Sequence, residues 1–332
     1  MLKMTWALAC AGFVSAVMST SLAVADDSSP PGGVFTFLVE NDAFARADHN
    51  YTSGIKLSYV YPRGSSDQVR DYLQQHIWPI DGKAVWRTEV SLGQSIFTPK
   101  DLSIATPQPN DRPYAGWLYL GYGLIAERRT SVTTFDLEAG ITGQMSGAEW
   151  AQRDLHHWLD DKDPQGWANQ LKSHAGVDFT VDRKWRGPRS ASVFGISADV
   201  MPEAGATVGN VTDEAFTGLT VRLGSDLETS ALPMRVRPSL AGSGTFDDTS
   251  GFGWYVFAGT MARAVGYNVF LQGDLPYRTN IEKRPLVIDS QFGIALRFWR
   301  LETTFTYVGR TSEFKPQKSS DHFGALGLAW HF

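Results

Sequence analysis

The stretch NDRPYAGWLYLGYGLIAE, residues 110–127, begins with polar and charged residues and continues as an alternating aromatic and aliphatic segment. Within residues 114–127, one parity carries mainly leucine and tyrosine, and the other carries the tryptophan, two glycines, an isoleucine and the final glutamate. A period of two is typical of a β-strand whose two faces meet different surroundings. Aromatic residues gather toward the end of this strand, as they do in the girdles of membrane β-barrels.

The same alternation recurs along the chain in twelve runs. They are residues 33–40, 53–61, 86–97, 114–127, 131–142, 177–185, 191–200, 216–224, 253–265, 286–299, 301–309 and 322–332. Twelve strands with one helical insertion indicate an all-β fold, a transmembrane antiparallel up-and-down β-barrel of about 12 strands, with a short helix in the external loop between strands 5 and 6.

Two further features refine this prediction. Residues 267–274 would form a thirteenth strand, and because single-chain bacterial barrels have even strand numbers, we assign them to a loop. The chain ends on AWHF, a strand with a terminal aromatic residue, which resembles the C-terminal signal of outer-membrane barrels. The alternative is a soluble periplasmic barrel.

Residues 1–25 have the pattern of a cleaved secretory signal peptide, with Lys3, an apolar run over residues 6–18, and Ala-Val-Ala at 23–25. We therefore expect residues 26–332 to form a single outer-membrane barrel domain. Cys10 is the only cysteine, so the exported chain would contain no disulfide. The formal net charge of −5 argues against a nucleic-acid partner, and no obligate protein partner is inferred.

Three polar clusters interrupt the alternating pattern, at residues 40–54, 98–114 and 146–170. Each lies in a connection from an odd-numbered to an even-numbered strand. Because strands of an up-and-down barrel alternate in direction, we expect all three clusters at the same rim.

Four polar residues of the third cluster recur at helical spacing on one stripe, and they are Glu149, Gln152, His156 and Asp160. Such a stripe could face the barrel mouth, where an imidazole at His156 would suit a general base and a carboxylate one turn away could hold its tautomer. The alternative is a solvated helix face, whose buried side would be formed by Trp150, Leu155 and Trp158.

The first cluster is rich in oxygen ligands, namely Asn41, Asp42, Asp48 and Asn50. Without cysteine, this set suits Ca²⁺ better than a thiolate-bound zinc. The alternative is an Asx-type turn that closes a hairpin. The chain contains no GxSxG motif, which disfavours a serine hydrolase built on a nucleophile elbow.

Five motifs occur in a characteristic order, VENDAF (39–44), YTSGIKLSY (51–59), LGQSIFTPKDL (92–102), NDRPYAGWLY (110–119) and GW (166–167), together with Asp48, Gln152, His156 and Gln170. In this order and spacing they resemble the outer-membrane lipid A 3′-O-deacylases of the LpxR type. The resemblance extends over the whole chain after the predicted signal. It implies a twelve-stranded barrel in the bacterial outer membrane, with its active site toward the outer leaflet, that uses Ca²⁺ to hydrolyse the ester holding the 3′-linked acyloxyacyl chain of lipid A.

The resemblance also implies roles for particular residues. Asn41 and Asp42 match the metal-site pair, with Asn41 also counted among the catalytic residues, and Thr52 matches a hydroxyl residue that opens strand 2. Gln152 and His156 match a glutamine and a catalytic histidine four residues apart. His156 would then deprotonate a water that attacks the ester, and Ca²⁺ would stabilise the developing oxyanion.

Two basic residues at the same rim, Lys100 and Arg112, could bind the phosphates and sugar-acid carboxylates of lipopolysaccharide. Arg112 could equally be a structural clamp to Asp111 or Glu127.

One position departs from the family pattern, because Lys162 stands where the family has a glutamate six residues after the histidine. The residues that could replace that glutamate are Glu149, Asp160, Asp161 and Asp163. If none does, the chain would be a catalytically silent barrel serving as a pore, an adhesin or a lipopolysaccharide-binding scaffold. An outer-membrane phospholipase is a further alternative.

Overall fold

The structure is a computed structural model. It describes residues 32–42, 50–65, 67–76, 84–159, 163–225, 227 and 251–332. The predicted signal peptide, and the candidate residues Asp48, Asp160, Asp161 and Lys162, lie outside the described residues.

Twelve strands form the barrel. They are β1 (Val34–Asn41), β2 (Asn50–Val60), β3 (Val85–Thr98), β4 (Ala115–Arg128), β5 (Ser131–Thr142), β6 (Ala175–Trp185), β7 (Ser197–Gly209), β8 (Thr212–Gly224), β9 (Phe252–Asn268), β10 (Leu286–Phe298), β11 (Leu301–Arg310) and β12 (Asp321–His331). Each strand pairs antiparallel with its neighbours in the chain, and β1 pairs with β12 from Val34↔His331 to Asn41↔Gly324, which closes the barrel. The predicted twelve-stranded up-and-down barrel is confirmed.

Three α-helices lie in the connections that the structure describes. They are α1 (Gln68–His76) between β2 and β3, α2 (Ala148–Leu159) between β5 and β6, and α3 (Val269–Gln272) after β9. The helix between strands 5 and 6 was predicted, and α1 was not. Residues 267–274 add no barrel strand, as predicted, because the Asn268 side chain accepts a hydrogen bond from Phe270 N and so starts α3. Among the described residues, no helix is long and apolar enough to cross a membrane.

The prediction for the seventh strand was wrong in its position. The predicted run 191–200 overlaps β7 only at its end, because Val193 and Ile196 exchange backbone hydrogen bonds of 2.9 and 3.0 Å and close a tight turn. Phe194 and Gly195 take positive φ angles of 52° and 79° in that turn. Strand β7 then continues to Gly209, through a stretch whose small residues carry a weaker alternation signal.

The side chains that face outward from the wall are mainly apolar and those that face the lumen are mainly polar, which is the reverse of the arrangement in a soluble protein. In β10 the apolar residues 286, 288, 292, 294, 296 and 298 are exposed, whereas Asp289, Gln291 and Arg297 are buried in the lumen. Strand β4 separates its two parities in the same way, with Leu120 61% exposed while Trp117 and Tyr119 pack inside. An apolar exterior around a polar interior suits contact with lipid.

All connections from an odd-numbered to an even-numbered strand leave the barrel at one end, which we call the mouth. The connection after β3 contains residues 99–114, and the connection after β5 contains α2. Two further mouth connections pair through a short ribbon, Glu282–Lys283 with Phe314–Lys315. The topology therefore gathers the second and third polar clusters at one rim, as strand parity predicted.

Candidate active site

Helix α2 lies against the outer face of the barrel wall and does not enter the mouth. Gly116 in β4 makes this contact possible, because a Cβ at that position would overlap Ser146 Oγ and Ala148 Cβ at the start of the helical segment. In the adjacent strand β3, Gln94 Nε2 donates a 2.7 Å hydrogen bond to the Ser146 carbonyl. The helix is thus anchored on the face of β3 and β4 that carries the exposed apolar side chains.

A groove of about 340 Å³ runs between α2 and the wall. Its lining is mostly apolar, with Ile55, Leu57, Leu92, Ile96 and Leu118 from β2 to β4 and with Trp150, Ala151 and Leu155 from the helix. Polar groups are few, and they are Ser53, Gln94, Gln152 and Asp154. An apolar groove with a few polar groups is the usual form of a site that binds an elongated apolar ligand.

The predicted polar stripe of α2 divides into two parts. Gln152 and His156 are buried, with 1% and 9% of their surfaces exposed, and they lie one helical turn apart. Glu149 is instead half-buried and pairs with Arg153 at 3.1 Å. The structure therefore brings Gln152 and His156 to the same side of the helix and turns Glu149 toward a cation.

Asp163 was one of the residues that could replace the family glutamate. It lies 3.6 Å from Arg153 and 3.2 Å from the imidazole of His157, which is largely exposed. Asp163 therefore lies beside His157 and Arg153. Of the four replacement candidates, both described ones have cationic partners at the helix surface.

The strand register places Asn41 beside the groove. Asn41 pairs with Ser53, Ser53 pairs with Ile96, and Ile96 pairs with Gly116, so these four residues form one row across the wall. Ser53 and Ile96 line the groove, and Gly116 lies under the start of the helical segment. Asn41 at the end of β1 is thus one strand away from the groove.

Asp42 and Thr52 lie next to that row. Asp42 follows Asn41 directly and is buried. The register between β2 and β3 shifts between Tyr51 and Ser53, so Thr52 occupies a β-bulge. Bulges are common beside active sites, where they redirect a side chain.

Lys100 lies at the rim, where it lines a pocket of about 490 Å³ together with residues 108–111 and 316–319. Its backbone N–H donates to Asp111 Oδ2 at 2.9 Å, which orders the loop, and its side chain is exposed. This position agrees with the predicted contact to an anionic head group, and that role stays a prediction.

Arg112 is fully buried, and its ion-pair partner is Glu313, at 3.2 Å from Nη1. The guanidinium also lies 4.8 Å from the centre of the Phe97 ring. This geometry favours a structural clamp, although with a different partner from those considered. Asp111 accepts a hydrogen bond from the backbone N–H of Arg112, and Glu127 lies at the opposite end of β4, where it pairs with Arg63.

Glu313 lies among three guanidiniums, with Arg310 at 3.6 Å and Arg263 at 3.8 Å in addition to Arg112. Burial alone would raise the pKa of Glu313, but the positive charges of Arg310, Arg112 and Arg263 hold the pKa below its ordinary value. Glu313 is therefore a carboxylate at neutral pH, and it ties the connection after β11 to the connection before β4.

With this geometry in place, comparison with known proteins decides the family. A family model described as "Outer membrane protein LpxR" matches residues 8–332. The chain belongs to the LpxR family. The resemblance drawn from the motifs is confirmed, and membership of the LpxR family places the barrel in the bacterial outer membrane.

Solved structures extend the comparison. LpxR from Salmonella typhimurium matches with a TM-score of 0.76 and 19% identity, over 90% of this chain and 100% of that chain, and so shares the fold. The β domain of the Bordetella autotransporter BrkA matches with a TM-score of 0.46 and 9% identity, over 91% of this chain and 99% of that chain. No curated protein sequence matches the chain.

Membership of the LpxR family does not by itself show that this chain binds Ca²⁺, so the prediction depends on the oxygen ligands that the structure describes. In the described part of the chain, no group of three or more His, Cys, Asp or Glu residues gathers in a way that could hold a metal. Asn41 and Asp42 nevertheless offer an amide and a carboxylate oxygen, the hard ligands that Ca²⁺ takes. These two oxygen donors are of the type found in calcium sites and could form part of one. Residues 43–49, which follow them, lie outside the described residues.

Three residues in or near the candidate site were not assigned by the sequence analysis. Trp167 contacts Gln152, Ser53 lines the groove, and Glu313 pairs with Arg112. Trp167 had a signal, because the Gly-Trp motif was part of the resemblance. Glu313 had none, because 201 residues separate it from Arg112.

Proposed function

We propose that this protein is a carboxylic ester hydrolase, a Ca²⁺-dependent lipid A 3′-O-deacylase of the outer membrane. The observation that carries the proposal is the buried pair Gln152 and His156 on a helix that covers an apolar groove of the outer wall. A groove on this face is open to the acyl chains of a membrane lipid, whereas a site in the lumen would not be. Lipid A offers such chains in ester linkage beside a charged head group.

The proposed reaction is a direct hydrolysis. The imidazole of His156 takes a proton from a water, and the water oxygen attacks the carbonyl carbon of the 3′ ester. When the tetrahedral intermediate collapses, the bond to the sugar oxygen breaks and the proton passes from the imidazole to that oxygen. The products are a free 3′ hydroxyl on the sugar and the released acyloxyacyl carboxylic acid.

Further residues are assigned supporting roles. Asn41 and Asp42 would hold Ca²⁺, which when bound supplies Lewis-acid stabilisation of the charge on the carbonyl oxygen. Thr52, at the bulge, is proposed to add its hydroxyl to the catalytic group. Lys100 would bind a phosphate or sugar-acid carboxylate of the head group, and Arg112 would hold the loop that carries Lys100.

The membrane arrangement follows the same proposal. Residues 1–25 would be removed as a signal peptide, and the twelve strands would span the outer membrane with the mouth at the outer leaflet. The groove beneath α2 would then lie at the depth of the ester linkages, close to the head groups, with its apolar length among the acyl chains.

The test is mass spectrometry of lipid A incubated with the refolded mature protein, with Ca²⁺ and with a chelator. We expect loss of the 3′ acyloxyacyl unit only with Ca²⁺. His156→Ala should reduce the rate by about 10²–10⁴-fold, the usual contribution of a general base. His157→Ala is the matched control, because His157 is the adjacent exposed histidine, and it should retain the wild-type rate.

Two outcomes would replace the proposal. Hydrolysis of glycerophospholipid but not of lipid A would identify a phospholipase. Unchanged lipid A in every sample, from protein that a heat-modifiable gel shift shows to be a folded barrel, would identify a silent scaffold and indicate Lys162 as the reason.

A further inference from the structure

The Gly-Trp motif at residues 166–167 has no role in the reaction described so far, yet its tryptophan contacts the active-site glutamine. Trp167 Nε1 donates a 2.8 Å hydrogen bond to Gln152 Oε1, and both side chains are buried. An indole N–H can only donate, so the amide atom that faces it must be the oxygen. The oxygen and nitrogen of a side-chain amide are often hard to tell apart, but here the indole donor identifies which atom of Gln152 is the oxygen.

This orientation determines where the amide nitrogen points. With Oε1 held by Trp167, Gln152 keeps a buried Nε2 donor that has no hydrogen-bond partner within the described part of the chain. Gln152 also lines the apolar groove. A buried donor without a partner is costly, and native proteins retain such groups where they have a function.

Trp167 is itself held firmly. It lies in the short 3₁₀ helix Gly166–Asn169, and its ring centre is 4.9 Å from that of Tyr114. Gly166 permits this packing, because a Cβ there would overlap the Tyr114 ring and lie 3.1 Å from the Ile104 carbonyl oxygen. Burial raises the pKa of Tyr114 to about 12, so the ring that supports Trp167 stays uncharged at neutral pH.

We infer that Trp167 is a positioning residue, which orients the Gln152 amide so that Nε2 donates a hydrogen bond to the ester carbonyl oxygen as negative charge develops there. The inference rests on the proposed deacylase function, and it assigns Gln152 the role of an oxyanion donor. Preorganised donors of this kind act in the transition state more than in the ground state, so they change kcat more than KM.

The test begins with Trp167→Phe, which keeps an aromatic ring against Tyr114 and removes the indole donor. We expect kcat to fall by about tenfold, with KM within about twofold of wild type, because the amide is still present but no longer oriented. Gln152→Ala should lower kcat by about 10²-fold. In the Gln152→Ala background, Trp167→Phe should cause no further fall, since Trp167 acts through the amide.

A tryptophan elsewhere in the wall provides the control. Trp330 packs edge-on to Trp299 in β12, away from the groove, and Trp330→Phe should keep the wild-type kcat and KM. A wild-type kcat for Trp167→Phe would overturn the inference. So would equal losses from Trp167→Phe with and without Gln152, because that result would assign Trp167 a general structural role.

A second readout does not depend on activity. In ¹⁵N-labelled protein, we expect the Trp167 indole N–H to be protected from hydrogen exchange and to lose that protection in Gln152→Ala. An indole unaffected by Gln152→Ala would overturn the inference whatever the activity. Failure of the wild-type protein to hydrolyse lipid A, with the indole still responding to Gln152→Ala, would instead reject the deacylase function and leave the contact between Trp167 and Gln152 in place.

Discussion

Replacing Arg112 with methionine tests whether this arginine is a structural clamp or a substrate contact. The two roles predict different measurements. Arg112 is fully buried, its Nη1 lies 3.2 Å from Glu313, and its guanidinium lies 4.8 Å from the Phe97 ring centre. A clamp in this position should stabilise the folded barrel, and a substrate contact should affect KM alone.

The expected loss of stability follows from these contacts. Breaking a buried ion pair by removing one partner costs about 3–5 kcal/mol. Glu313 retains Arg310 at 3.6 Å and Arg263 at 3.8 Å, so the lower end of the range, about 3 kcal/mol, is the better expectation for Arg112→Met. The methionine keeps an apolar contact with Phe97, which offsets most of the lost cation–π attraction.

Glu313→Gln provides an internal comparison. Arg112, Arg263 and Arg310 all lie within 4 Å of the Glu313 carboxylate, so this change removes one anion from three cations. We therefore expect Glu313→Gln to destabilise the barrel more than Arg112→Met does. The order of the two effects tests the cluster more strictly than either value.

The assay is urea unfolding of the barrel in lipid vesicles, followed by tryptophan fluorescence. Lys100→Met is the control, because Lys100 is an exposed basic residue of the same rim and should stay within about 0.5 kcal/mol of wild type. The clamp would be refuted if Arg112→Met unfolded like wild type while raising the KM for lipid A.

Three further predictions concern the groove, the rim and the pH dependence of stability. Leu57 lies four register rows from the row that contains Asn41, so Leu57→Trp should fill the inner part of the groove and disfavour long acyl chains by about tenfold. Lipid A species of defined chain length measure this preference, and Phe292→Trp on the remote outer wall should leave it unchanged. Lys100→Ala should raise the KM for lipid A several-fold with little change in kcat. Because the contact with an anionic head group is electrostatic, the difference from wild type should shrink at high salt. If neither the substitution nor the salt concentration changes KM, Lys100 does not contact the substrate. Folding lowers the pKa of Glu313, so its contribution to stability should be present above the ordinary glutamate pKa of about 4.3 and be lost as the pH falls through the lower folded value. If Glu313→Gln loses stability over the same acidic pH range as wild type, another group causes that loss.

Much of the fold could be predicted because its information is local. The alternation with a period of two in the sequence corresponds to side chains that face alternately outward and into the lumen. The number of alternating runs equals the number of barrel strands. The prediction failed at β7, where Phe194 and Gly195 form a turn inside an apparently regular run. Residues 68–76 were also not predicted as a helix, because they contain few apolar residues. Asp67 starts this helix by accepting from Val69 N, and it also accepts a hydrogen bond from Tyr122 of the wall.

The site was predictable in composition but not in arrangement. The motifs identified Gln152 and His156 as a pair, and their four-residue spacing needed only a helix to place them on one side. The helix can cover this part of the wall because Gly116 has no side chain there. The importance of Gly116 is visible only once β4 is paired with β3. The sequence therefore allowed a helix facing the mouth, and the structure placed it on the outer wall.

The sequence by itself determined the barrel class, the strand number, the family and the residues that carry the proposed chemistry, because these are recorded in periodicity and in short motifs. Only the tertiary structure decided that α2 lies on the outer wall, that Trp167 donates a hydrogen bond to Gln152, and that Arg112 pairs with Glu313. Arg112 and Glu313 lie 201 positions apart in the chain, and the closure of the barrel brings them together. Gln152 and Trp167 lie 15 positions apart in one connection, but the spacing of the two residues does not follow a helix or strand period that would predict their contact.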